Sequence, residues 1–391
     1  MRDAGASTRS STIGRERGPR QGQRSFDADG FLPCRGQPRR AILETVTTLL
    51  DSKVCRTGKA DMNAIFPDTD TLQVVLNLAT RAPSIHNTQP WRWRVDTASL
   101  DLYSDPNMQL HNTDPDGRDL TLSCGAALHH CAVALAAMGW KAKVHRFPDR
   151  NDTSYLATIE VQPHTPDHAD ITLAAAIPRR RTDRRAYSSW PVAGGDIALM
   201  AARAARSGVM LRQVDALERM NKIVAQAVWD HSTNRDYLHE LTMWSGRYDS
   251  VAGVPARNTP PSERTAPIPG RLFAGPGLAP SAASPADDGA AILALGTEED
   301  DRLSRLRAGE ATSVVLLTAT ALGLACCPIS EPLEIRQTRE AVRADVFGAS
   351  GYPQMLLRVG WAPVNADPLP PTPRRRLSHV VQWPGLLEQR S

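Results

Sequence analysis

Long hydrophobic runs are missing from this chain. Its 391 residues hold no uninterrupted apolar stretch of the roughly 18 residues that a membrane span needs. The Arg-rich start carries no apolar signal core either, so a cytoplasmic protein without a membrane partner is expected. Cysteine is scarce. Cys34, Cys55, Cys124, Cys131, Cys326 and Cys327 follow neither a disulfide framework nor a zinc spacing, which favours a reducing compartment. Strong charge of one sign is absent as well: the net charge is +4, and the basic residues are nearly all Arg. They gather locally, at Arg179 to Arg185 and Arg374 to Arg376, which favours one bound anion over a broad nucleic-acid surface. No P-loop, nucleophile elbow or Gly-x-Gly-x-x-Gly after a strand occurs.

What is present is enough for two lobes or one large domain, with 41% apolar residues to fill a core. Residues 1–61 are rich in Arg, Gly and Ser and low in periodic apolar residues, and read as a disordered basic extension, with Met62 as an alternative start. From Asp68 the pattern turns helical, with Leu72, Val75, Leu76 and Ala79 on one stripe. A hairpin is expected over Trp91 to Val95 and Leu100 to Tyr103. A buried helix should run from Leu120 to Leu135, with Cys124 and Cys131 facing the core. Strands follow at 141–147 and 155–161, then helices at 171–176, 194–206 and 216–245. About a third of residues 251–290 are Pro or Gly, which reads as a long loop, functional as a lid or plainly flexible. Order resumes with a strand at 291–297, an apolar helix at 309–324 and a strand at 355–361. Both apolar helices end in Ala-x-Gly, at Ala137 to Gly139 and Ala321 to Gly323, a weak internal echo that points to two fused copies of one α+β unit. The halves would be 62–170 and 171–391.

Four segments carry the chemistry. Pro83 to Trp91 places Ser84, His86, Asn87 and Gln89 on a turn between two prolines, where short side chains and backbone N–H groups can address a flat polar ligand. The bland reading is an ordinary helix terminus with a packed histidine. Arg179 to Arg185 puts five guanidinium groups around Thr182 and Asp183, a pattern suited to phosphate oxygens, or else a solvated basic turn. The third segment, Gly323 to Glu331, reads by itself as a helix-to-strand connector, and the fourth, Pro373 to Arg376, as a basic tail. Arg118 falls in what reads as a surface turn at Asp114 to Arg118.

Together, in this order, the four segments resemble the FMN-dependent nitroreductases, and the likeness runs from about Met62 to the C-terminus. Pro83-Ser84-x-x-Asn87-x-Gln89-Pro90-Trp91 is similar to that family's turn, and Arg180-x-Thr182-x-Arg184 to its Arg-x-Ser-x-Arg phosphate signature. Gly323-Leu324 through Pro328-Ile329 resembles its Gly-Leu-x-x-x-Pro-Ile segment, with Ser330-Glu331 where Glu-Gly is common, and Arg375 belongs to its C-terminal basic pair. The resemblance is strongest to the mycobacterial Acg-like branch, including Val254 to Asn258 in the lid region. It implies an α+β nitroreductase fold and FMN held by Pro83, Ser84, Asn87, Gln89, Arg180, Thr182, Arg184, Ser330, Glu331 and Arg375. NAD(P)H would be the electron donor, and a nitroaromatic or quinone the acceptor. Because the Pro-Ser turn lies only in the first half and the other three segments only in the second, a fused pseudo-dimer with one FMN site is expected, able to act as a monomer. A redox-inactive FMN-sequestering or sensing protein is the alternative.

Overall fold

The computed structural model describes residues 66–383 apart from 248–249, 262–265, 267, 281–283, 285–286 and 349. The basic extension expected over 1–61 and the alternative start at Met62 lie outside the described residues. The first helix, α1 (Thr69–Ala79), begins where the Asp68 side chain accepts a hydrogen bond from the Thr71 amide at 2.6 Å, and it buries Leu72, Val75, Leu76 and Ala79. Strands β1 (Trp91–Val95) and β2 (Leu100–Ser104) form the expected hairpin. Helix α2 (Arg118–Ala137) follows, then β3 (Trp140–Arg146), β4 (Tyr155–Pro163) and α3 (His168–Ala176). After α4 (Gly194–Ala205) and β5 (Met210–Gln213), the expected helix 216–245 divides into α5 (Leu217–Thr233) and α6 (Arg235–Trp244). The break has a local cause: Asn234 leaves helical geometry, and its side chain accepts from the amides of Asp236 at 3.0 Å and Tyr237 at 3.1 Å.

Short strands β6 (Ser245–Arg247) and β7 (Val254–Pro255) lead through the long irregular segment to β8 (Ala291–Thr297). Helix α7 (Arg302–Ala321) starts earlier than expected, because Asp301 caps it through the Ser304 amide at 2.7 Å. The connector reading of 323–331 is replaced by strand β9 (Ala325–Ile329), whose alternate backbone groups pair with a later strand. Then come α8 (Glu331–Glu334), α9 (Arg336–Val342), β10 (Tyr352–Gly360), α10 (Leu377–Val380) and β11 (Val381–Gln382).

The strands form a five-stranded sheet in the order β11-β1-β2-β4-β3 and a four-stranded antiparallel sheet in the order β5-β8-β10-β9. β11 pairs parallel to β1, Trp93 opposite Val381, so the end of the chain returns to the sheet built by its first part. Between the sheets, α2 and α7 cross at backbone contact. A Cβ on Gly125 would lie 2.1 Å from the Leu306 carbonyl, and one on Gly309 would lie 2.0 Å from the Leu122 carbonyl. Each glycine is the eighth residue of a 20-residue helix, and each helix is closed by a left-handed glycine, Gly139 at φ 89° and Gly323 at φ 87°. Cys124 and Cys131 are buried on α2 as expected. Among the described residues α2 is the one helix long and apolar enough to cross a bilayer, and its burial against α7 and the first sheet accounts for that apolarity.

Candidate functional site

The Pro83 to Trp91 turn is held in an unusual backbone state. His86, Asn87 and Gln89 have φ of 41°, 55° and 54°, the left-handed region that non-glycine residues avoid. Such residues persist where neighbours over-determine them, and they cluster at ligand sites. Here the Gln89 amide donates to Ser84 Oγ at 3.0 Å, and the Ile85 amide to Ser123 Oγ on α2 at 3.0 Å. The Asn87 amide group donates to the carbonyls of Gly253 at 3.0 Å and Pro373 at 3.2 Å. Gln89 Nε2 reaches the Val251 carbonyl at 2.8 Å, while Gln89 Oε1 accepts from the Arg375 amide at 2.8 Å. These two side chains therefore fasten the start of the 251–290 segment and the segment around Pro373 to Arg375 to the turn.

A cavity of about 290 Å³ opens beside this turn. Of the ten residues expected at the site, Pro83, Ser84, Thr182, Arg184, Ser330 and Glu331 line it. Asn87, Gln89, Arg180 and Arg375 do not. Arg375 Nη1 instead lies 3.6 Å from a carboxylate oxygen of Asp105.

Arg180 belongs to a second feature, a knot of guanidinium groups. It is buried, with Nη1 3.4 Å from Thr182 Oγ1 and Nε lacking a partner among the described residues. Burial above all, with repulsion from Arg181, Arg81 and Arg184, pushes it down to about 10. Arg374, one residue before the arginine singled out in the sequence, donates to the carbonyls of Thr80, Arg81 and Ala82 at 3.0, 3.0 and 3.1 Å, just past the end of α1. Burial, then Arg180, Arg81 and Arg181, pushes it down to about 9. None of these five arginines forms an ion pair with a carboxylate of the described residues. The other arginines at the cavity are matched: Arg185 with Asp183 at 2.9 Å, Arg358 with Asp288 at 3.4 Å, and Arg271 with Glu334.

The remaining walls come from residues the sequence did not single out. Arg271 and Phe273, from the 251–290 segment, line the cavity. Arg271 binds Glu334, donates to Tyr237 Oη at 2.5 Å and approaches Ser330 Oγ at 3.3 Å. Glu331 meets His231 Nδ1 at 3.1 Å, and that imidazole stacks on Tyr237 with centroids 3.8 Å apart. Phe273 packs edge-on to His86 at 6.0 Å and lies under the Arg184 guanidinium at 4.8 Å. Both ring nitrogens of His86 lack partners among the described residues. Burial, then Arg271, Arg184 and His231, hold its protonation well below the ordinary range, so it is neutral. Asp119 also lines the cavity; burial pushes its carboxyl up to about 7, opposed by Arg118 and reinforced by Asp114. Arg118 is not on a surface turn. It is 2% exposed and donates to the carbonyls of Pro353 at 3.0 Å and Gln354 at 2.6 Å, because β10 presents those groups to the start of α2. The spacing Glu331-x-x-Glu334, two acids on one short apolar-flanked helix, was the one local signal for this wall.

No family model matches the chain. It is 74% identical over 347 residues to the Mycobacterium tuberculosis protein named "Putative NAD(P)H nitroreductase Rv3131", covering 88% of this chain and all of that one. It is 36% identical over 325 residues to the "Putative NAD(P)H nitroreductase acg" of the same species, covering 80% and 95%. Among solved structures it is similar to the FMN and NADPH-dependent nitroreductase NfnB from a Sphingopyxis strain, with 18% identity, TM-score 0.35, and coverage of 55% of this chain and 99% of that one. A nitroreductase with bound FMN from Bacteroides fragilis gives 13% identity, TM-score 0.33, and coverage of 50% and 90%. At those scores the fold rests on this chain's own elements.

Proposed function

The chain belongs to the family of these mycobacterial NAD(P)H nitroreductases, and from that premise we propose that it is an FMN-binding oxidoreductase that passes electrons from NAD(P)H to a nitroaromatic or quinone acceptor. The observation that carries this reading is the arginine knot beside the cavity. Buried guanidinium groups that repel one another, one with an orphaned Nε, form a stable arrangement once an anion sits among them. A phosphate monoester fits that donor set, and an apolar-walled cavity with a few polar groups fits a flat ring. Arg180, with its orphaned Nε, and Thr182 would hold the phosphate, Arg374 would add its charge while its N–H groups stay on backbone carbonyls, and Pro83, Ser84, Thr182, Arg184, Ser330 and Glu331 would surround the remainder of the coenzyme. When bound, FMN supplies hydride transfer, while the protein supplies binding, orientation and electrostatics. Neutral His86 offers a hydrogen bond without adding charge to a wall already rich in arginine.

The two halves would act as a fused pseudo-dimer with one site at their junction. The equal lengths and matching glycines of α2 and α7 support this, as does the confinement of the Pro-Ser turn to the first half. The test is the spectrum of purified protein saturated with FMN. One flavin per chain is expected; two per chain, or no uptake at micromolar FMN, overturns the proposal.

A second reading has its own observation. Arg271 and Phe273 close the cavity from a segment tied to the Pro-Ser turn and anchored on buried Glu334. A lid so fastened would exclude nicotinamide and make the protein a flavin store. Anaerobic mixing with NADPH and with NADH separates the two readings: bleaching of the flavin band supports the oxidoreductase, and an unchanged band in loaded protein supports storage.

A further inference from the structure

Two carboxyls at the cavity, Asp119 and Asp288, are not among the residues that would hold the coenzyme, and Asp288 is paired with Arg358 at 3.4 Å. Asp119 is 3% exposed, stands in the first turn of α2 and lines the cavity. Its carboxylate meets Arg118 Nη1 at 3.1 Å, while Nη2 of that guanidinium is engaged by Pro353 O, Gln354 O and Gln354 Oε1. Behind it lies Asp114, whose two oxygens accept from the amides of Asp119 at 3.0 Å and Leu120 at 2.7 Å. Two carboxyls thus share the neighbourhood of one buried arginine. Amide donors favour the ionised form at Asp114, and none among the described residues reaches the Asp119 carboxyl. The extra proton of the pair belongs on Asp119, the member that faces the cavity.

We propose that Asp119 is a general acid of the cavity, donating the proton that a quinone takes up as it is reduced there. The proposal rests on the oxidoreductase reading above. The balance is simple. A quinone becomes a hydroquinone by gaining one hydride, which carries both electrons and originates in the nicotinamide, and one proton. The carboxyl O–H bond of Asp119 breaks and a phenolic O–H bond forms. The carboxylate left behind faces Arg118 and regains its proton from water. The position of its titration near neutral pH, about 7, matches what general acid catalysis needs at physiological pH. The charged groups that set it are Arg118 and Asp114 from its own end of α2, Arg271 from the 251–290 segment and Glu334 from α8. Arg339 and Asp300 act on it through Arg118, and His86 and Glu331 share its cavity.

The experiment has two readouts. Infrared spectra of the whole protein, titrated across about pH 7, should show the C=O stretch of a protonated carboxyl disappearing as pH rises, and Asp119→Asn should lack it. Reoxidation of the reduced, FMN-loaded protein by 2-methyl-1,4-naphthoquinone should slow roughly 10²- to 10⁴-fold in Asp119→Asn. Its pH dependence near neutrality and its solvent deuterium isotope effect should be lost, and Asp119→Glu should regain both. A wild-type protein without the titrating band, or an Asp119→Asn protein whose reoxidation keeps its pH dependence, overturns the general acid and leaves the oxidoreductase reading standing. A protein that takes up no FMN overturns both.

Discussion

Arg180 is buried and Arg374 half-buried, neither with an acidic partner among the described residues, and the orphaned Nε of Arg180 is a cost the fold carries when no anion is bound. Replacing Arg180 with Met removes a charge-assisted contact worth about 1.5–3 kcal/mol to a bound phosphate, roughly a tenfold to hundredfold weaker FMN complex. The same change relieves repulsion, so the melting temperature of the flavin-free protein should hold or rise. Flavin fluorescence titration and thermal melts of the same preparation check both halves of that statement. The histidines of α2 give a second expectation. His129 Nδ1 lies 2.7 Å from Ser313 Oγ, and His130 Nδ1 lies 2.8 Å from the same oxygen. Burial pushes His129 down to about 4 and His130 well below its ordinary value. Their folded-state values lie below the unfolded one, so the unfolded chain binds protons more readily. Their contribution is complete above about pH 6.5 and is lost as pH falls towards 4. For His129 this is on the order of 1–2 kcal/mol between neutral pH and about pH 5. Urea midpoints at the two pH values should fall accordingly, and His129→Gln should reduce the difference.

The α2–α7 crossing governs the element scale, because both halves of the cavity hang from these helices. Ser123, Asp119 and Leu122 reach the site from α2, and Thr312 from α7. At Gly125 a methyl group would meet the Leu306 carbonyl at 2.1 Å, and rigid backbone cannot yield as a flexible side chain would. Gly125→Ala should therefore destabilise by about 1–3 kcal/mol or more through forced separation of the helices, and should also weaken flavin binding. Calorimetric melting with and without FMN tests this; an unchanged melting temperature would contradict the close crossing. The elements themselves were largely legible. α1, α2, the β1–β2 hairpin, β3, β4 and β8 follow from apolar periodicity and from Pro and Gly punctuation. β5, β9 and the break at Asn234 were not, because strands of four or five residues are too short to show a readable period and a side-chain cap inside a helical pattern looks like any surface asparagine.

For the whole molecule, the decisive feature is the return of the chain end to the first sheet. Arg374 grips the end of α1, Arg375 pairs with Asp105, and β11 adds to β1. A chain truncated after residue 366 should lose the knot, the sheet edge and flavin retention together, read as colourless protein with a lowered melting temperature. If truncated protein stays yellow, the C-terminal contribution to the site is wrong. By itself the sequence picked out short runs whose members line the cavity: the Pro-Ser turn, the Arg-Thr-Arg segment and the Pro-Ile-Ser-Glu segment. Their residue types and spacing express local chemistry. The tertiary structure alone decided that Asn87 and Gln89 fasten chain segments, that Arg374 comes near Arg180, that Arg271, Phe273 and Asp119 enclose the same space, and that His231 backs Glu331. Those contacts join residues scores to hundreds of positions apart. Such proximity is set by how helices and sheets pack, and neighbouring residues in the chain leave no trace of it.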